Sequence, residues 1–131
     1  MRRTLALGLL IAGLAGCGGS GSTGPSLDVT GTYRVNGVSE RDGTRFTAVV
    51  NLQQDGSHVT GTYRQNNGLQ YRIDASVSRT RVSGQMIGTN SAAVCDSVSA
   101  EFFPDGQTGQ GRYSCRLGTA TDFGSFTTVR T

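Results

Sequence analysis

Few side chains in this sequence could do covalent chemistry, and they are scattered. His58 is the only histidine, and Asp55 and Ser57 lie beside it, so a Ser-His-Asp set can be spelled. Such a set works only with an oriented imidazole, a nucleophile in reach, donors for an oxyanion and exclusion of water. Asp55-Gly56-Ser57-His58 is also ordinary turn chemistry, and a hairpin tip offers no such enclosure. No catalytic residue is assigned, and no enzyme is expected. Glu40 and Asp42 read as a solvated loop. Three cysteines, Cys17, Cys95 and Cys115, carry the remaining chemistry. Four aromatic residues, Tyr33, Phe46, Tyr63 and Tyr71, are candidates to line a pocket.

Cys17 has the most informative surroundings. Arg2 and Arg3 precede an apolar run from Leu5 to Ala15, 11 residues long and broken only by Gly. That is too short to span a bilayer, which takes about 20 residues, and it has the charged start and apolar centre of an export signal. Leu14-Ala15-Gly16-Cys17 closes the run and closely resembles the lipobox of bacterial lipoproteins. The resemblance implies a diacylglyceryl group on the Cys17 sulfur, cleavage before Cys17 and acylation of the new amine. A single acyl chain holds a protein only marginally, whereas two or more anchor it. Residues 1–16 are therefore expected to be a signal peptide. Gly18 is not the Asp that retains lipoproteins at the inner membrane in the known sorting pattern, so the outer membrane is the expected address.

Residues 17–26 continue as Gly, Ser, Thr and Pro, the composition of a flexible tether. This stretch contains a GxGxxG match, Gly16 to Gly21, but no strand precedes it and no helix follows, so it is not a nucleotide loop. Removing residues 1–16 leaves 10 Arg against 9 acids, close to neutral, and there is no Lys. Scattered arginines at that balance do not make a nucleic-acid surface. Residues 27–131 form one domain, rich in Gly, Thr, Ser and Val, with no sustained helical periodicity.

The turns of that domain set strand register. Asp55-Gly56 as a two-residue loop places Leu52 opposite Val59, Val50 opposite Gly61 and Ala48 opposite Tyr63, with His58 outward across from Gln53. Asp42-Gly43 places Val35 by Val50 and Tyr33 by Leu52. A three-residue loop at Asn66-Asn67-Gly68 places Tyr63 by Tyr71, and a turn at Arg79-Thr80 places Ile73 by Met86. Ala48, Gly37 and Gly88 are then the small residues beside the paired tyrosines. Pro104-Asp105-Gly106 reads as a further hairpin loop. Counting outward from it sets Cys95 directly across from Cys115, within disulfide reach. An exported domain is where such a bond persists. One His and two bridged cysteines cannot supply a zinc site, and no metal or cofactor is expected. In this hairpin the faces are mixed. Tyr113 falls with Cys115, Ser97 and Ser99, and Val98, Ala100 and Phe102 fall with Arg112 and Gln110, so either a bulge shifts the parity or part of the interior is polar.

Eight strands result, at 28–40, 44–54, 57–65, 69–78, 81–88, 94–103, 107–117 and 123–130. The expected fold is all-β, an eight-stranded antiparallel up-and-down meander closing into a small soluble barrel, with an open sandwich as the alternative. The outward positions are Thr, Arg, Gln, Asp and Ser, unlike the apolar outer band of a membrane-spanning barrel. Val29-Thr30-Gly31-Thr32-Tyr33-Arg34 is echoed by Val59-Thr60-Gly61-Thr62-Tyr63-Arg64. A Thr-Gly-Thr-aromatic strand is similar to those of avidin-type barrels, and the overall pattern resembles the calycin group of lipocalin-like barrels. That resemblance implies a ligand cavity at one barrel end. The chain has no Trp, however, whereas avidins stack biotin between tryptophans. The expected function is non-catalytic binding of a small apolar ligand by a lipid-anchored envelope protein. The alternative is a protein-binding or inhibitory module using the loops Thr89 to Ala93 and Gly118 to Asp122. Its partners are thus the membrane, through the anchor, and a small ligand or an envelope protein.

Overall fold

A computed structural model describes residues 26–131; the signal segment, Cys17 and nearly all of the tether lie outside the described residues. Eight strands follow in order: β1 (Gly31–Ser39), β2 (Arg45–Asp55), β3 (His58–Gln65), β4 (Gln70–Ser78), β5 (Arg81–Gly88), β6 (Val94–Phe102), β7 (Thr108–Leu117) and β8 (Ala120–Arg130). Each pairs antiparallel with the next, and β8 returns to β1, so the sheet closes into a barrel. Closure removes both edges and gives the alternating apolar residues an interior, which an open sandwich would need a second sheet to provide.

Two hairpins have the register expected from their turns. Gly68, at positive φ, completes the β3–β4 loop and leaves Tyr63 opposite Tyr71. Arg79, the one non-glycine residue at positive φ among those described, turns β4 into β5 with Ile73 opposite Met86.

Two others differ from expectation by two residues. The β2–β3 turn is Gly56-Ser57, not Asp55-Gly56, and Asp55 pairs with His58. Gly56 alone has positive φ there, which suits a type II′ turn with Gly first. Leu52 therefore meets Gly61, and Val50 meets Tyr63. The β1–β2 connection spans four residues, 40–43, closed by the Ser39 N–H donating to the Thr44 carbonyl, so Tyr33 meets Val50 and Val35 meets Ala48. A shift of two keeps each side chain on its face, which is why the inward set survives the error.

The β6–β7 hairpin combines two displacements. Its loop has four residues, 104–107, because the Phe103 N–H donates to the Thr108 carbonyl. Phe102 then opposes Gly109 and Val98 opposes Tyr113. Further along, β6 carries one extra residue at Asp96 relative to both β5 and β7, a β-bulge. The bulge reverses the parity of β6 and brings Cys95 back opposite Cys115. The longer loop thus sets Val98, Ala100 and Phe102 in the interior with Tyr113, where Ser97, Ser99, Gln110 and Arg112 are not, and the bulge keeps Cys95 inside as well. The mixed faces in the sequence mark this bulge.

The echoed segments occupy equivalent places. β1 and β3 flank β2, with Gly31 and Gly61 both opposite Leu52 and Tyr33 and Tyr63 both opposite Val50. At Gly61 a Cβ would lie 2.0 Å from the Asn51 carbonyl oxygen, so the close approach of β2 requires Gly.

Candidate functional site

The interior has a closed end and an open one. At the closed end, residues 26–30 cross beneath the barrel before β1 begins. The Leu27 N–H donates to the Arg79 carbonyl, and the Arg79 N–H donates to Ser26 Oγ. The Val29 N–H donates to Gln54 Oε1, and the Gln54 N–H donates to Thr30 Oγ1. Val29 and Val59 are fully buried, and Tyr33 is 1% exposed. Tyr33 donates its hydroxyl to the Val29 carbonyl and accepts from Arg130 Nη2 at 2.7 Å. Its ring meets Phe102 edge-to-face at 5.6 Å.

At the other end the turns are short, and among the described residues no segment crosses. A cavity of about 340 Å³ runs from Tyr33, Val35 and Phe102 up to Arg41, Leu69, Ala93 and Leu117 at this end. Small-molecule sites typically occupy about 300–1,000 Å³ and are mostly apolar with a few placed polar groups. Tyr33, Phe46, Tyr63 and Tyr71, the four aromatic residues expected to line a pocket, all line this cavity. Tyr63 and Tyr71 stack edge-to-face at 5.4 Å. Gly88 is opposite Tyr71 as expected, whereas Ala48 pairs with Gln65 and not with Tyr63. Phe46 lies over Gly37, where a Cβ would sit 2.2 Å from the ring, and meets Tyr113 edge-to-face at 5.6 Å. Rings lying on glycines fill space that any side chain there would take.

Tyr113 and Asp122 are lining residues that the turn count did not single out. Tyr113 was obscured by the unresolved parity of its hairpin. Asp122 fell in an expected loop, but β8 begins at Ala120 and the β7–β8 turn is only Gly118-Thr119, so Asp122 is a strand residue opposite Cys115. Its carboxylate accepts from Ser39 Oγ at 2.5 Å and from Tyr113 Oη at 3.2 Å. Burial, and then the Asp122 charge, push the phenols of Tyr113 and Tyr71 up. The Tyr63 phenol is raised mainly by burial as well, and its hydroxyl donates to Gln65 Oε1. All three phenols are therefore protonated donors at neutral pH. Deeper on the wall, Thr128 Oγ1 is buried with no hydrogen-bond partner among the described residues.

Cys95 and Cys115 form a disulfide that joins β6 and β7 and borders the cavity. The rim loop 89–93 is held by Asn90, which accepts from the Gln70 N–H and donates to the Gly68 carbonyl. His58 stands on the outer wall, with Nε2 2.8 Å from Asp74 Oδ1 and both side chains about half exposed. Its carboxylate partner is thus Asp74 on β4, not Asp55. Among the described residues no group of three or more His, Cys, Asp or Glu side chains could hold a metal ion.

No protein-family model matches the chain, and no curated protein matches it. What can be said of the site therefore rests on its own geometry.

Proposed function

We propose that this protein is a non-catalytic carrier of a small, largely apolar ligand, held at the cell envelope by a lipid on Cys17. The observation that supports ligand binding is the cavity of about 340 Å³, walled by aromatic and aliphatic side chains, open at one end and polar only at a few points. A tightly filled eight-stranded barrel would leave no such volume. The support for the anchor is Leu14-Ala15-Gly16-Cys17 followed by a Gly/Ser tether. The tether gives the domain reach from a membrane surface.

Native mass spectrometry of protein purified from its own envelope tests both parts at once. The expected species starts at Cys17, carries acyl mass and retains a small molecule in near-stoichiometric amount. An unacylated chain would overturn the anchor. A stoichiometric protein partner with no small molecule would replace the carrier by a module that binds through its rim loops.

A further inference from the structure

The charge inside the cavity bears on what kind of ligand it takes, provided that the carrier reading holds. Among the described residues, Glu40, Asp96 and Glu101 each hold an arginine, and Asp74 holds His58, all on exposed side chains. Asp122 is different. It faces the interior, and its oxygens accept only from the neutral hydroxyls of Ser39 and Tyr113. A carboxylate has about four acceptor sites, so two hydroxyls leave capacity for a charged donor. Around the same space stand two edge-to-face aromatic pairs, Phe46 with Tyr113 and Tyr63 with Tyr71. Ring faces carry the negative end of the aromatic quadrupole and attract cations.

Two arginines also reach the mouth, but each has an acidic neighbour. Arg116 Nε is 2.7 Å from Asp96, and Arg41 adjoins Asp42, whose carboxyl is lowered chiefly by hydrogen bonds from Thr44 and least by the Arg41 charge. An inward carboxylate without a cationic partner, set among aromatic rings in an apolar cavity, is complementary to an organic cation. We propose that the ligand is a small monocationic amine whose apolar body fills the cavity and whose ammonium group meets Asp122.

Calorimetric titration at pH 7 and low salt, with three probes sharing one apolar body, tests this. The probes are 2-phenylethylammonium, 2-phenylethanol and 3-phenylpropanoate. The ammonium should bind about tenfold more tightly than the alcohol, the size of one modest charge pair, and the carboxylate should bind most weakly. Asp122→Asn, whose amide oxygen accepts from one of the two hydroxyls and whose NH2 donates to the other, should abolish the preference for the ammonium over the alcohol. Asp122→Glu should retain the preference. Equal binding of ammonium and alcohol, a preference that survives in Asp122→Asn, or tightest binding of the carboxylate would each overturn the inference while leaving the carrier reading intact. If none of the probes binds, nor an apolar fluorescent dye, the carrier reading falls with it.

Discussion

At the end of the barrel where residues 26–30 cross, Val29, Tyr33 and Val59 are shut away from solvent. At the other end Phe46 and Leu69 are only partly buried, and Leu117 is 53% exposed. The same eight strands supply both ends. The difference lies in what crosses between them. Residues 26–30 run beneath one end and hydrogen-bond to Arg79 and Gln54, while Leu27 also packs against the Gly106 turn. Among the described residues, the opposite end has connections of two to five residues, which turn back along the wall. A barrel of this size can fill its interior with side chains. This one does so where a strap adds Leu27 and Val29, and keeps a cavity of about 340 Å³ that opens at the other end. One sheet thus has a closed base and an open mouth.

Truncating a ring at each end tests that contrast most strongly. Tyr33→Ala removes a fully enclosed ring together with its bonds to Val29 and Arg130, and should cost about 3–5 kcal/mol, as truncation of a packed aromatic does. Phe46→Ala removes a half-buried ring and should cost about 1–2 kcal/mol, in proportion to the smaller area withdrawn from water. Urea unfolding of both variants measures the difference. Equal losses would mean that the mouth is as tightly packed as the base.

The disulfide bears on the same contrast, because it lies toward the open end, away from residues 26–30. Replacing Cys95 and Cys115 together by Ala frees a loop of sequence separation 20 and should cost about 3 kcal/mol on the chain-entropy account. The loss should fall on the mouth, with faster amide exchange in β6 and β7 than in β1. Uniform loss of protection around the barrel would show that the bond braces the whole sheet and not the open end.

The smallest effect expected is in acid. Hydrogen bonds from Arg112 and Arg116 hold the Glu40 and Asp96 carboxyls below their ordinary range, and a hydrogen bond from Thr80, with help from Arg81, does the same for Glu101. Folded values below unfolded ones mean that the stabilisation is complete above about pH 4–5 and is lost as pH falls through the folded values. Two of these pairs lie toward the mouth and one toward the base. Changing Arg112 and Arg116 to Gln should therefore flatten the acid side of the stability profile more than changing Arg81 does. All three pairs are exposed, so the slopes should be shallow and weaken with salt. A profile equally steep in every variant would assign the acid response to other groups.

Much of the fold was legible because its turns are local. Asn66-Asn67-Gly68 needs positive φ at its last residue, and the chain places Gly there; the register of β3 on β4 follows without reference to anything distant. The inward placement of Tyr33, Phe46, Tyr63 and Tyr71 was legible for a similar reason, since alternation along a strand does not depend on which residue lies opposite. Less legible were turns with a Gly that can serve at either position. Asp55-Gly56 and Gly56-Ser57 are both acceptable loops, and the choice between them moves the register by two. The pairing of Cys95 with Cys115 was reached through two displacements that cancel, a loop one residue longer than expected and a bulge at Asp96. Asp122 was missed because the segment after Gly118 has the Thr and Asp of a loop, and only its pairing with β7 shows it to be strand.

By itself, then, the sequence determined the strand count and the inward aromatic set, because turn chemistry and alternation act over a few residues. The tertiary structure decided which end is closed, where the parity of β6 reverses and that Asp122 lines one cavity with Tyr63, Tyr71 and Tyr113. Those outcomes depend on β8 closing against β1 and on residues 26–30 bonding to Gln54 and Arg79, 24 to 53 positions away. No local preference encodes such contacts; they form because closure satisfies the backbone of both edge strands and the strap buries Leu27 and Val29.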